Sequence, residues 1–176
     1  RRNGATGNWA VYNKYLNDGT TPEQWGFDLN NDYAQSDQNG FFNDTAPNST
    51  HFSLGLWGST GTSTTSQYLV LLFASVSGIS KVGYFDGSDS EQTITTGFQP
   101  RFLILISSTA AGENWYILDT TRGWGSGNDQ AMWLNTTAAQ WGTANYGAPT
   151  STGFTLPGNH SGTNDAGKKY IYYAHA

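Results

Sequence analysis

The chain carries the same ordered set of short motifs twice. Asn8-Trp9-Ala10-Val11-Tyr12 returns as Asn114-Trp115-Tyr116-Ile117-Leu118, and Leu29-Asn30 returns as Leu134-Asn135. Phe52-Ser53-Leu54 returns as Phe154-Thr155-Leu156, and Tyr68 to Ala74 returns as Tyr170 to Ala176. The four pairs keep their order while their offset drifts only from 106 to 102 residues, as small loop deletions would produce. One such pair means little, but four in register describe a tandem duplication, so both halves must adopt one design. The expected domains are residues 1–78 and 79–176, joined near Val76 to Ser80.

The repeated motifs are of strand type. Apolar or alternating runs lie at Trp9 to Tyr12, Phe52 to Leu54, Tyr68 to Ala74, Lys81 to Phe85, Phe102 to Ile106, Trp115 to Leu118, Phe154 to Leu156 and Tyr170 to Tyr173. Between them lie Gly-, Asn- and Ser-rich connections such as Asn3 to Gly7, Asp86 to Asp89 and Gly158 to Gly167, whose residues tolerate positive φ or cap their own backbone. No long stretch shows a helical apolar stripe. Pro22 to Trp25 and Thr136 to Gln140 are the best helical candidates, about one turn each. The reading is all-β, as two tandem β-sandwich, jelly-roll-like domains. Leu103 to Ile106 and Leu69 to Leu72 are apolar on both faces, which predicts strands central to a sheet covered on both sides.

The register exposes an asymmetry. In the second copy, residues 79–108 precede the Asn-Trp motif and supply two predicted strands, Val82 to Phe85 and Phe102 to Ile106. Arg1 aligns with Ser107, so the first copy has no counterpart to this block. An open edge and core face invite aggregation, so the missing strands are expected either upstream in a longer polypeptide, the preferred reading, or from a neighbouring chain.

Composition excludes several function classes. Only 12% of residues are charged while 15% are aromatic, the reverse of a disordered chain. Eight Lys and Arg against thirteen Asp and Glu give a net charge of −5, which argues against nucleic acid as a partner. No apolar run nears the roughly 20 residues of a membrane helix, so no membrane insertion is expected. Without cysteine, disulfides and thiolate metal sites are excluded.

Motifs for chemistry are sparse. His51, His160 and His175 lack partners at metal-ligand spacing and read as loop histidines. Glu23, Glu91 and Glu113 are the only glutamates and each falls in a turn, so a glycosidase pair has no distinguishing context. Asp28-Leu29-Asn30-Asn31-Asp32 begins like a calcium loop, but Tyr33 stands where glycine is required and Asn39 where the closing Glu belongs. Asp86 to Glu91 is an acidic turn that Asp86-Gly87 explains without a metal. No catalytic residue, cofactor or metal ligand is assigned, and the chain is not read as an enzyme.

Gly97-Phe98-Gln99-Pro100-Arg101-Phe102-Leu103-Ile104, Asn114-Trp115-Tyr116-Ile117, Leu134-Asn135, Gly153-Phe154-Thr155-Leu156 and Asn164-Asp165-Ala166-Gly167 to Ala176 together resemble a repeat domain of tailed-bacteriophage virion proteins, common in marine and cyanophage-type tail and fibre proteins. The first copy is similar through Asn8 to Tyr12, Asp44-Thr45-Ala46-Pro47, Phe52 to Gly55 and Tyr68 to Ser75. It departs by lacking its leading strands, by Ser107-Ser108 where basic residues are usual, and by His175 where an aromatic such as Phe73 is typical. The resemblance implies a virion component in a tail, fibre or surface appendage, serving assembly and host attachment, and implies no reaction. A capsid-decorating protein is a further alternative. The implied partners are other copies in a homo-oligomer and other virion proteins.

The aromatics sort by repetition. Trp9 and Trp115 recur at matched strand positions and are read as core. Trp57, Trp124 and Trp141 sit in loops or beside glycine without a match, and with Tyr146 they are the candidates for contacts to a ligand or a neighbouring subunit. Aromatic faces stack on sugar C–H faces, so the competing reading is a carbohydrate-binding module for host surface glycan. A polysaccharide hydrolase is the third, and requires two carboxylates facing each other across a cleft.

Overall fold

The computed structural model describes residues 7–61 and 66–176, so the expected turn at Asn3 to Gly7 lies outside it except for Gly7. The chain divides into two compact units, Arg1–Leu72 and Phe73–Ala176, and its regular structure is nearly all β in antiparallel sheets. The division falls six residues ahead of the expected boundary for a local reason. Val76 and Ser80 exchange backbone hydrogen bonds of 2.9 Å each. Val82 N–H donates to Ser75 Oγ at 3.0 Å, and Ser80 Oγ donates to the Ala74 carbonyl at 2.7 Å. These bonds tie residues 74–78 to the strand that follows.

In the first unit, β1 (Ala10–Val11), β2 (Trp25–Asp28) and β3 (Ser36–Asp37) form a three-stranded sheet in that order, followed by a single turn of helix α1 (Asn39–Phe42). The expected helix at Pro22 to Trp25 is a 3₁₀ turn over Pro22–Gln24 only. Proline suits the first helical position, but Trp25 is already extended and opens β2. Among the described residues of this unit, Leu16, Phe27 and Phe41 are the buried large apolar side chains. The Phe41 ring lies so close over Gly26 that a Cβ there would stand 2.8 Å from it.

The second unit contains β4 (Ser80–Asp86), β5 (Gln92–Thr95), β6 (Phe102–Ser107), β7 (Tyr116–Asp119), β8 (Asp129–Trp133), β9 (Trp141–Ala144), β10 (Ala148–Thr150), β11 (Gly153–Leu156) and β12 (Lys169–His175). One sheet has the order β4-β12-β6-β7-β8-β9 and the other β10-β11-β5. Both contribute to one core. Leu103, Leu105, Leu118, Ala131, Tyr170, Tyr172 and Ala174 come from the six-stranded sheet, and Ile94, Phe154 and Leu156 from the three-stranded one. Ile106, Ile117 and Ile171 are also buried but outside that cluster. Leu103 to Ile106 is therefore interior to its sheet and covered on both faces, as its unbroken apolar run predicts. Thr136 to Gln140 is not helical.

The duplication is visible in strand register. Ala10 pairs with Asp28 and Val11 with Phe27, while Tyr116 pairs with Trp133 and Ile117 with Met132. Gly26 pairs with Ser36, and Ala131 with Trp141. These are the same pairs displaced by the repeat, so β1-β2-β3 is the counterpart of β7-β8-β9.

Candidate functional site

The repeated Asn-Trp and Leu-Asn motifs are a hairpin clasp. In the first unit Asn30 Nδ2 donates to Asn8 Oδ1 at 2.9 Å, Asn30 Oδ1 accepts Trp9 N–H at 2.8 Å, and Leu29 N–H donates to the Trp9 carbonyl at 2.9 Å. In the second, Asn135 and Asn114 are joined at 3.1 Å, Trp115 N–H reaches Asn135 Oδ1 at 3.0 Å, and Leu134 N–H reaches the Trp115 carbonyl at 3.0 Å. A carboxamide presents donor and acceptor on one short stem, so asparagine can answer a side chain and a backbone amide together. The motif fixes register.

The sequence candidates separate into two classes. Trp124 and Tyr146 are 3% exposed and belong to the core of the second unit, where Trp124 packs on Phe154 and Tyr146 on Tyr116. This corrects their assignment as contacts for a ligand or subunit. The cause is the fully buried Asp129. Its Oδ1 accepts N–H from Gly125, Ser126 and Gly127 at 2.8, 3.1 and 3.3 Å, and its Oδ2 accepts Tyr146 N–H at 2.7 Å. One carboxylate thus turns two loops inward, with the aromatic beside each. Trp57, in the first unit, and Trp141, in the second, are each 53% exposed and remain free to meet a ligand.

The polar candidates are mostly committed to structure. Asp28 Oδ2 accepts amides from Asn8 at 2.8 Å and Asn31 at 3.1 Å. Burial pushes its carboxyl above the usual range, against the pull of those two amides. Asp32 is exposed. Among the described residues no group of three or more His, Asp or Glu gathers to hold a metal ion. The acidic turn after β4 is pegged by the fully buried Asn164, whose Oδ1 accepts Ser88 N–H at 2.9 Å. Lys168 Nζ lies 2.6 Å from Glu113 and 2.5 Å from Asp165, and these carboxylates hold its ammonium above the ordinary value. His51 is exposed beside Thr50, and His160 packs edge-on to Tyr146. His175, expected in a loop, instead ends β12, with its Nδ1 at 2.9 Å from the Tyr173 hydroxyl. A depression of about 190 Å³ between Glu91, Asn145, Thr155 and Pro157 presents one carboxylate and no aromatic ring. Glycoside hydrolysis uses two carboxylates.

A run of consecutive apolar side chains near the end of the first unit is exposed. Leu69, Val70, Leu71 and Leu72 are 55%, 41%, 57% and 75% exposed and form no named strand. Phe52 and Leu54 are also exposed. Sequence reasoning marked the open edge of the first copy but did not name these side chains. The signal was the repeat itself, since their counterparts Tyr172, Ala174, Phe154 and Leu156 are buried.

Residues 1–176 match the family model described as Domain of unknown function (DUF7483), and the chain belongs to that family. No curated protein and no solved structure matches it.

Proposed function

We propose that this DUF7483 chain is a structural component of a bacteriophage particle, built from tandem β-sandwich, jelly-roll-like repeats and placed in a tail, fibre or surface appendage. Its role there is assembly and host attachment, as a homo-oligomer among other virion proteins, and it involves no reaction. The observation that carries the reading is the clasp made identically in both units. Repetition of one small β-design is how a chain becomes an extended, stiff element in which each repeat leans on its neighbours. Many copies per particle would turn weak surface contacts into avidity. The resemblance of the repeat motifs to tail and fibre domains supplies the setting.

The test is mass spectrometry and antibody labelling of intact particles purified from a lysate of the strain that carries the gene. Peptides from this chain should co-purify with particles, and label should decorate the tail or its fibres. Label on the head would move the role to capsid decoration. A chain found only in the soluble lysate would end the virion reading.

A second reading is favoured by Trp57 and Trp141, the two unmatched tryptophans that remain exposed. Each offers an indole face of the kind that stacks on a sugar, and host surface glycan is the corresponding ligand. Binding of the chain to host-derived glycans, lost in Trp57→Ala or Trp141→Ala, would support it. Equal binding by both variants would remove it.

A further inference from the structure

We propose, resting on the glycan-binding reading, that Trp57 and not Trp141 is the stacking platform, and that the sugar it takes is an uncharged pyranose. The two indoles are equally exposed, at 53% each, so their surroundings decide between them.

The turn that carries Trp57 is built twice. Thr60 N–H and Gly61 N–H donate to the Trp57 carbonyl at 3.0 and 2.9 Å, and Thr163 N–H and Asn164 N–H donate to the His160 carbonyl at 3.1 and 2.9 Å. Thr60 and Thr163 are both buried. Each turn sets its first ring against a buried aromatic of its own unit. Phe41 lies 6.0 Å from Trp57 at 58°, and Tyr146 lies 5.0 Å from His160 at 62°. Trp57 and His160 are therefore counterparts, and in the second unit the turn closes without an indole. There the ring is turned back on its own turn, with His160 Nδ1 at 2.9 Å from the Ser161 carbonyl oxygen and 3.0 Å from Thr163 Oγ1. The indole of Trp57 is surface that the turn does not require.

Its placement suits a platform. A Cβ on Gly40 would stand 3.2 Å from Trp57 Cε3, so the indole rests on the bare backbone of the α1 turn. Behind it the rings run on from Phe41 to Phe42 and from Phe42 to Tyr12, edge-on at 6.0 and 5.6 Å. Support on one side and solvent on the other hold the ring ready, with little side-chain entropy to lose on binding. The face of an indole is electronegative and the C–H groups on one face of a pyranose are partly positive, so the two stack. Asn39 and Asn43, at either end of the same turn, are exposed, and their carboxamides can both donate to and accept from hydroxyl groups. Trp141 is placed differently. It is paired with the fully buried Ala131 across the β8–β9 ladder, and directly opposed residues share a face. That puts Trp141 on the core side of an edge strand, where its indole covers the rim of the core.

Charge selects the class of sugar. Residues 7–61 carry Lys14 as their one Lys or Arg, against Asp18, Glu23, Asp28, Asp32, Asp37 and Asp44. The Lys14 ammonium itself lies over the Tyr15 ring, 4.9 Å from its centre. A polyanionic glycan would bring uronate, sulfate or phosphate groups into this negative field, where like charges repel. An uncharged pyranose meets no such penalty.

The experiment titrates the 176-residue chain with cellohexaose, maltohexaose and N-acetylchitohexaose as uncharged probes, and with oligogalacturonate of the same length as the anionic one. Saturable binding of at least one uncharged probe is expected, roughly tenfold or more tighter than that of oligogalacturonate. Trp57→His, which installs the ring used by the second unit, should weaken that binding by about tenfold or more, while Trp141→His leaves it within about twofold. A measurement on the natural chain needs no variant to fold. N-bromosuccinimide oxidises exposed indoles, and peptide mapping should find Trp57 protected by saturating probe and Trp141 not. Protection of Trp141, alone or together with Trp57, or a loss of binding confined to Trp141→His, overturns the choice of platform and leaves the glycan reading standing. Binding of oligogalacturonate in preference to the uncharged probes overturns the choice of sugar. Failure of all four probes overturns both, and the host-glycan titration then decides the glycan reading separately. Binding that neither variant weakens and that protects neither indole removes that reading as well.

Discussion

Asp129 Oδ2 accepts the backbone N–H of Tyr146 at 2.7 Å from a position with no solvent exposure. The other oxygen of the same carboxylate takes the three consecutive amides of residues 125–127. Every bond at this side chain runs from an N–H to an anionic oxygen, so a carboxylate is required and an amide is not equivalent. Asp129→Ala is expected to lower unfolding free energy by about 3 kcal/mol, from lost charge-assisted bonds and stranded donors. Asp129→Asn should be no better, because its NH₂ must face one of the donors. Urea denaturation checks both, and an Asn variant of near-native stability would show that the charge is dispensable.

Asn164 is the reverse case. Its Nδ2 donates to the carbonyls of Ser90 at 3.2 Å and Pro157 at 2.9 Å, while its Oδ1 accepts Ser88 N–H and the Gln92 side-chain amide. Asn164→Asp would set a carboxylate against two carbonyls, a loss of about 3 kcal/mol at neutral pH. The introduced carboxyl would have a folded pKa above its unfolded value. The deficit relative to the natural chain should therefore be smallest in acid and grow as pH rises through the folded pKa, which parallel melts at several pH values would detect.

Buried phenols make the fold sensitive to alkaline pH. Burial pushes the Tyr170 and Tyr116 hydroxyls up to about 12 from the ordinary 10. Between those values the folded chain holds protons that the unfolded chain has lost, so stability is fully present below pH 10 and declines as pH rises toward 12. Each group accounts for ~2–3 kcal/mol across that window. Tyr170→Phe should flatten the decline, although it also removes the acceptor of Asp165 N–H. An unchanged alkaline slope in that variant would mean that Tyr170 ionises no differently in the two states.

Close backbone approach makes Gly153 irreplaceable. A Cβ there would stand 1.9 Å from the Ile94 carbonyl oxygen of the paired strand, an atom that cannot swing aside. Gly153→Ala is expected to cost about 3 kcal/mol and to separate β11 from β5. Gly58, with nothing within 4 Å of its added Cβ, should accept alanine with a change within about 0.5 kcal/mol. Thermal melts of both variants supply the comparison.

Much of the second unit was legible because several of its strands coincide with short, dense apolar runs. β4, β6, β7, β11 and β12 lie under the runs that announced them. β5, with sequence Gln92-Thr93-Ile94-Thr95, was not legible, since Ile94 alone is buried. β8 and β9 carry mixed side chains that pairing, not propensity, makes extended. In the first unit the error ran the other way: Phe52 to Leu54 and Leu69 to Leu72 have strand sequences and lie outside the described strands. Trp124 and Tyr146 read as loop aromatics because nothing local reveals that Asp129 draws both loops inward. The Asn-Trp and Leu-Asn motifs were found as repetition, but the clasp they make became evident only when asparagine side chains some 20 residues apart met.

The position of β12 bears on when the second unit can fold. It is the last strand in sequence, yet it lies between β4 and β6, which cannot pair with each other until it arrives. During synthesis β4 therefore leaves the ribosome more than 80 residues before β12, the described strand it pairs with. β6, β7, β8 and β9 pair in chain order, so this part of the sheet can form as it emerges, while β4 joins it only through β12.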